Sequence, residues 1–168
     1  MKIVLIILIT ILSSTINSYA FASDKIAFID LNYILRESIE GKKILNDLND
    51  LNNKNLKEFQ IEENELEKEQ EAIKKLQNII STEEYNKKLI SFQNKVDIYK
   101  DKKNKMINSF EIVKDNELND FFNNLNIIMN NYMKNNSINL ILDKKNIIMA
   151  NSQNDISKEI LKIINENE

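Results

Sequence analysis

The sequence predicts a mainly α-helical fold with a small β body. A long antiparallel helical hairpin stands on a three-stranded β-sheet and a C-terminal helix. From about residue 38 to about residue 135, apolar side chains recur at alternating steps of three and four, which is typical of a helix with one buried seam. The 168 residues include one glycine and no proline, so few residues interrupt a helix. Short β-branched runs, which favour strands, lie only near the two ends of this helical region.

Residues 1–22 have the three parts of a secretory signal peptide. Lys2 is the charged start, residues 3–12 are an apolar run, and Ala20-Phe21-Ala22 is a small-residue cleavage site. The run is shorter than the roughly twenty residues that a membrane-spanning helix needs. We therefore expect cleavage after Ala20 or Ala22 and delivery to the periplasm. The mature domain covers residues 23–168, with a body (23–37 and 136–168) and a helical arm (38–135).

The first predicted strand is Lys25–Asp30, and residues 31–35 either extend it or begin a turn of helix. Ser38 is placed to cap the first helix of the arm. Gly41 lies just inside that helix, where it costs up to about 1 kcal/mol relative to alanine. Either the close approach of another backbone or chance explains this glycine.

The arm consists of two helices whose buried residues form two series that face each other. The first series is Leu45, Leu48, Asn52, Asn55, Phe59, Glu62, Leu66, Glu69, Ile73, Leu76 and Ile80. The second series is Tyr85, Leu89, Phe92, Val96, Tyr99, Lys103, Met106, Phe110 and Val113. An antiparallel register pairs Ile73 with Phe92 and Glu62 with Lys103, the only lysine in its series. A polar pair in an apolar seam fixes the alignment of two helices.

A tight reversal at residues 81–84 joins the two helices. Ser81 can cap the second helix while Glu84, three residues later, reaches back to it. The flanking charges agree with the pairing, because residues 58–71 are mostly acidic and residues 87–105 are mostly basic. Exposed pairs of this kind contribute only tenths of a kcal/mol each. At about 1.5 Å per residue, the predicted coiled-coil arm reaches roughly 60 Å from its base.

Beyond Val113 the apolar pattern shifts by about one residue, which indicates a new packing partner. The shifted series is Leu118, Phe121, Phe122, Leu125, Ile128, Met129 and Tyr132. Residues 134–137 end the helix, and residues 138–142 and 147–150 are predicted to form a β-hairpin around a turn at 143–146. A last helix, capped by Asp155 or Ser157, has the apolar face Ile156, Ile160, Leu161, Ile163 and Ile164. Because a three-stranded sheet leaves exposed edges, we expect the chain to associate with itself through the sheet.

Composition excludes several classes of function. Lys+Arg 23 against Asp+Glu 26 gives a net charge of −3, which argues against nucleic acid as a partner. The chain has no cysteine and no histidine, so it lacks thiolate chemistry and the commonest general base. Glu62, Glu65 and Glu69 have a spacing compatible with a metal site, but such helix surfaces are usually only solvated. We therefore predict no enzyme, no cofactor and no metal site.

Four isoleucines fall outside the seam: Ile61, Ile90, Ile98 and Ile112. Single exposed isoleucines are normal on protein surfaces, but isoleucines that face a cavity could contact an unfolded client protein. Asn52, Asn55 and Glu62 place polar groups inside the seam. Looser packing there would let the arm bend around bulky cargo.

Several motifs occur together in a particular order. After the signal peptide come KIAFID (25–30), ESIEGK (37–42), the charged hairpin, NLILDK (139–144), MANS (149–152) and DIS (155–157). This arrangement resembles the Skp/OmpH family of periplasmic chaperones over essentially the whole mature chain. The resemblance implies a homotrimer with a central β body and three arms around a cavity. Such a protein holds unfolded outer-membrane proteins there without ATP and keeps them soluble for membrane insertion.

The chain departs from the family pattern in its charge. The best-known members are strongly basic, whereas this chain is acidic, and Arg36 is its only arginine. No lipopolysaccharide site is therefore carried over to particular residues. Two other functions fit the composition: an envelope coiled-coil spacer or adaptor that binds no client, and a prefoldin-like cytosolic chaperone. The signal peptide argues against the second, and suppression of client aggregation would distinguish the chaperone from the spacer.

Overall fold

The computed structural model of the protein describes residues 25–166, so the predicted signal peptide lies outside the described residues. The elements in order are strand β1 (Ile26–Ile29), helices α1 (Leu31–Glu37), α2 (Ile39–Leu76) and α3 (Thr82–Asn136), strand β2 (Leu140–Asp143), two short 3₁₀ turns (Lys144–Asn146 and Ser152–Asn154) and helix α4 (Ser157–Glu166). Among the helices that the structure describes, none combines the length and apolar character needed to span a bilayer.

The predicted hairpin is confirmed. Helix α2 has 38 residues and α3 has 55, and they run antiparallel as the arm. The reversal occupies residues 77–81, since α2 ends at Leu76 and Ser81 caps α3. The Glu84 backbone N–H donates to Ser81 Oγ (3.3 Å), and the Ser81 hydroxyl donates to Glu84 Oε2 (3.2 Å). These bonds anchor the first turn of α3, as the serine-to-glutamate spacing predicts.

At the base of the arm, Ser38 separates α1 from α2. Its side chain accepts a hydrogen bond from the Gly41 N–H (3.1 Å), and its own N–H donates to the Ile34 carbonyl (2.9 Å). A Cβ atom at Gly41 would lie 2.8 Å from the carbonyl carbon of Leu35 and 2.7 Å from Ser38 Oγ. The glycine is therefore explained by close approach of another backbone. Of the two alternatives for residues 31–35, the helix is correct.

The predicted seam is wrong near the base of α2. Ile44 is buried and Leu51 is half-buried, whereas Leu45 and Asn52 are exposed. Here α2 packs against the core of the body as well as against α3, so its buried stripe rotates. Of the two asparagines predicted in the seam, only Asn55 is half-buried and lies in the seam as a polar residue.

The sheet has two parallel strands. Ile26 pairs with Leu140 and Ile29 with Asp143. The two predicted strand regions are therefore correct, but the β-hairpin and the third strand at residues 147–150 are wrong. Lys145 N–H donates to Asp143 Oδ1 (3.1 Å), which begins a 3₁₀ turn that leads the chain away from β2. The whole arm forms the crossover between the two parallel strands.

The core of the body lies where α3 meets α1, α4 and the sheet. Phe121 and Leu125 of α3 have no exposed surface and pack with Ile29, Ile34 and Ile160. The predicted shift of the apolar series after Val113 is thus confirmed. Helix α3 ends at Asn136, where Ser137 adopts the left-handed conformation (φ 53°, ψ 41°).

Candidate functional site

Ion pairs join the two helices halfway along the arm. Lys102 Nζ donates to Glu58 Oε1 (2.5 Å) and to Glu62 Oε1, and Lys103 Nζ donates to Glu63 Oε1 (2.8 Å). The predicted pair of Glu62 with Lys103 is therefore one residue in error. Adjacent helix residues point about 100° apart, and Lys103 instead lies over the ring of Phe59, 5.3 Å from its centroid. We call this set of residues (58, 62, 63, 99, 102 and 103) the ionic belt.

Hydrogen bonds between the two helices shift the pKa values of several side chains in the ionic belt. The hydrogen bond from Lys102 lowers the pKa of Glu58, and the bonds to Glu58 and Glu62 raise the pKa of Lys102. Hydrogen bonds from Lys103 and then from the Tyr99 hydroxyl (2.5 Å) lower the pKa of Glu63. These shifts favour the charged forms of Glu58, Glu63 and Lys102 around neutral pH. The ion pairs are sensitive to salt because their groups are partly exposed.

The four isoleucines singled out from the sequence are all exposed, but they do not form one cluster. The exposed fractions are 57 % for Ile61, 64 % for Ile90, 69 % for Ile98 and 61 % for Ile112. Ile98 lies between two shallow grooves. One has a volume of about 550 Å³ and includes Lys105 and Met106, while the other, of about 330 Å³, includes Leu66 and Lys95. The surface of the arm therefore presents separate apolar spots surrounded by charge.

The sequence analysis does not predict the exposure of several other apolar side chains. They include Ile39, Leu56, Ile79, Ile107, Ile127, Ile148 and Met149. Ile79 lies in the turn at the tip of the arm, a position that the periodicity of the helices could not assign. Ile39 and Ile127 lie where the arm joins the body, and only the tertiary structure brings them together.

The body also has an apolar surface, which lies beside β2. A groove of about 310 Å³ is lined by Ile29 and Leu31, by one side of α3 and by β2. Leu140 and Leu142 are partly exposed, and Ile148 and Met149 in the loop after β2 are 103 % and 90 % exposed. Apolar side chains this exposed on a small body are typical of a surface that contacts another protein.

Two of the three carboxylates with metal-like spacing accept hydrogen bonds from lysines. Glu62 accepts from Lys102, and Glu69 accepts from Lys95 (2.7 Å). Within residues 25–166, no group of three histidine, cysteine, aspartate or glutamate side chains could hold a metal ion.

Comparison with known proteins gives a consistent result. The chain matches the family described as outer membrane protein (OmpH-like) over residues 25–164. Six chains of known structure match. One is the crystal structure of a candidate outer membrane chaperone (OmpH-like) from Caulobacter crescentus CB15, with a TM-score of 0.76 at 16 % identity over 88 % of this chain and 87 % of that chain. At this identity the likeness concerns the fold. No curated protein sequence matches.

Proposed function

Because this chain belongs to the family of OmpH-like outer membrane proteins, we propose that it is an ATP-independent holdase chaperone. In the periplasm it binds unfolded outer-membrane β-barrel proteins between its helical arms. It keeps them soluble until they insert into the membrane. The protein carries out no covalent chemistry on its client and needs no cofactor.

The long hairpin with scattered exposed isoleucines is the observation that carries this proposal. Full burial of one isoleucine side chain is worth about 1.5–3 kcal/mol, and a client that covers only part of each gains less. Several weak contacts act together to hold an unfolded client, and each single contact breaks easily. The charged residues between the isoleucines, including the ionic belt, keep the empty arm soluble.

We further propose that the protein acts as a homotrimer. The apolar surface beside β2 supports self-association, because within residues 25–166 β2 pairs only with β1 and its other edge is open. The exposed side chains of Ile148 and Met149 add to the apolar area of the body. Three chains joined there hold three arms around one cavity. A single chain offers a client only one arm, so trimer formation is part of the mechanism.

Light scattering tests the holdase role directly. A purified outer-membrane β-barrel protein is diluted from urea with and without the mature chain (residues 23–168). We expect the chain to suppress aggregation without ATP. Unchanged precipitation of the client would contradict the proposal and would favour the envelope spacer. A soluble, acidic protein of similar size serves as the control for non-specific effects.

A further inference from the structure

A concave apolar groove lies at the root of the arm, which we define as the first turn of α2 together with the parts of α3 and α4 beside it. The groove has a volume of about 550 Å³. Ile39 of α2 and Ile127 of α3 line it and are 59 % and 61 % exposed, while Ile164 of α4 is buried beneath it. Unlike the single isoleucines along the arm, these side chains come from three helices and converge on one hollow.

The walls of this groove are held in place by hydrogen bonds. The backbone N–H of Ile39 donates to Oδ1 of Asn165 (3.0 Å), which ties the start of α2 to the end of α4. One residue earlier, the buried Ser38 caps α2. The groove is therefore preformed, and a ligand does not have to order it.

The groove and the apolar surface beside β2 lie on opposite sides of α3. The groove contains Asn124, Ile127 and Ile128, whereas the surface beside β2 contains Asn126, Met129, Asn130 and Met133. Residues two positions apart are about 200° apart around a helix. Self-association through the sheet thus covers one side of α3 and leaves the groove on the other side.

We propose that the root groove binds an uncharged apolar segment of the client, with an aliphatic or aromatic side chain seated between Ile39 and Ile127. The rim carries one acid and one base, Glu40 and Lys43, so it adds no net charge and complements a segment without charge. An apolar segment that covered the ionic belt, by contrast, would remove water from charged side chains, which is costly. This inference rests on the proposed holdase function and adds a position at which clients are retained.

A photo-crosslinking experiment distinguishes the two sides of α3. The full chain is expressed in a bacterial host with p-benzoylphenylalanine at position 124, which lines the groove, in one variant and at position 126, which lines the surface beside β2, in another. Both positions are exposed asparagines, about 200° apart around α3. Each variant is purified, mixed with an unfolded outer-membrane β-barrel protein and irradiated. We expect position 124 to form adducts with the client, and position 126 to form adducts mainly with a second copy of the chain.

Substitution supplies the quantitative test. Ile39 and Ile127 are exposed, so replacing both by asparagine should leave helix content and native mass unchanged. We expect client affinity to fall on the order of tenfold, because two partly buried isoleucine contacts are lost. The matched control replaces two isoleucines that are exposed singly on the arm, Ile61→Asn with Ile107→Asn, and should have a smaller effect.

The outcomes separate the two proposals. If the unaltered chain binds no client, both the holdase function and the groove proposal fail. If the unaltered chain binds the client but position 124 crosslinks only to another copy or to nothing, the groove proposal alone is overturned. Unchanged affinity of the I39N/I127N variant would overturn it as well.

Discussion

Replacing Gly41 by alanine should destabilise the protein although alanine is the better helix former. Alanine would gain up to about 1 kcal/mol from helix propensity. The added Cβ, however, would overlap the Leu35 carbonyl oxygen and would lie 2.8 Å from the carbonyl carbon. Both atoms belong to the backbone of α1 and cannot rotate away. Overpacking of this kind costs about 1–3 kcal/mol. Because the clash involves backbone atoms, we expect the upper end of this cost. After the gain in helix propensity, the net loss in the free energy of unfolding should be about 2 kcal/mol.

Thermal unfolding followed by circular dichroism measures this loss. For a chain of this size, about 1 kcal/mol shifts the midpoint by about 2–4 °C. Protein concentration must be fixed, because self-association alters apparent stability. The exposed neighbour Lys42 provides the control, since Lys42→Ala should change stability by less than about 0.5 kcal/mol. If Gly41→Ala is as stable as the unaltered protein or more stable, the close approach at the base of the arm does not explain the glycine.

Three further predictions concern a helix end, an acid group and the arm. Ser137→Gly should stabilise the protein by about 1 kcal/mol, because glycine adopts the left-handed conformation of residue 137 without strain; equal urea midpoints for this variant and the unaltered protein would refute the prediction. Burial alone would raise the pKa of Asp155, but hydrogen bonds from Ser157 and Lys144 outweigh burial and lower it below its ordinary value of 3.8. The stabilisation from the Asp155 carboxylate is therefore present above pH 3.8 and is lost as the pH falls through the lower folded-state pKa. Asp155→Asn should be less stable than the unaltered protein at pH 7 and should lose less stability on acidification. Unfolding measured over a series of acidic pH values checks both results. Asn55→Leu should stiffen the arm and narrow the range of client sizes that the protein holds in solution. Asn52 is exposed, so Asn52→Leu should not have this effect. If the two variants have equal client capacity in a light-scattering titration, Asn55 is not a flexible position.

Local patterns in the sequence predict the arm and its ends well. The caps at Ser38 and Ser81 depend on residues three positions away, and the shift after Val113 is a change of period within one helix. The parallel pairing of β1 with β2 joins residues more than a hundred positions apart, so local turn signals suggested a hairpin instead. The sequence predicts Lys103 as the partner of Glu62, whereas the structure shows Lys102. This error has a different origin. Heptad spacing gives the level of a pair but does not decide between neighbouring lysines.

The surfaces relevant to function were only partly predictable. Ile61, Ile90, Ile98 and Ile112 follow from their positions outside the seam. The root groove does not follow from any spacing, because Ile39 and Ile127 come together only when both helices pack on α4. The short apolar run at residues 147–150 predicts a strand, whereas the structure places Ile148 and Met149 in an exposed loop.

The central claim is that several arms, joined through the body, hold one unfolded client. Native mass measurement of the purified chain, alone and after mixing with a urea-diluted outer-membrane β-barrel protein, tests this claim most directly. We predict a mass of three chains alone and of three chains plus one client after mixing. A single-chain mass that does not change when the client is added would contradict the account.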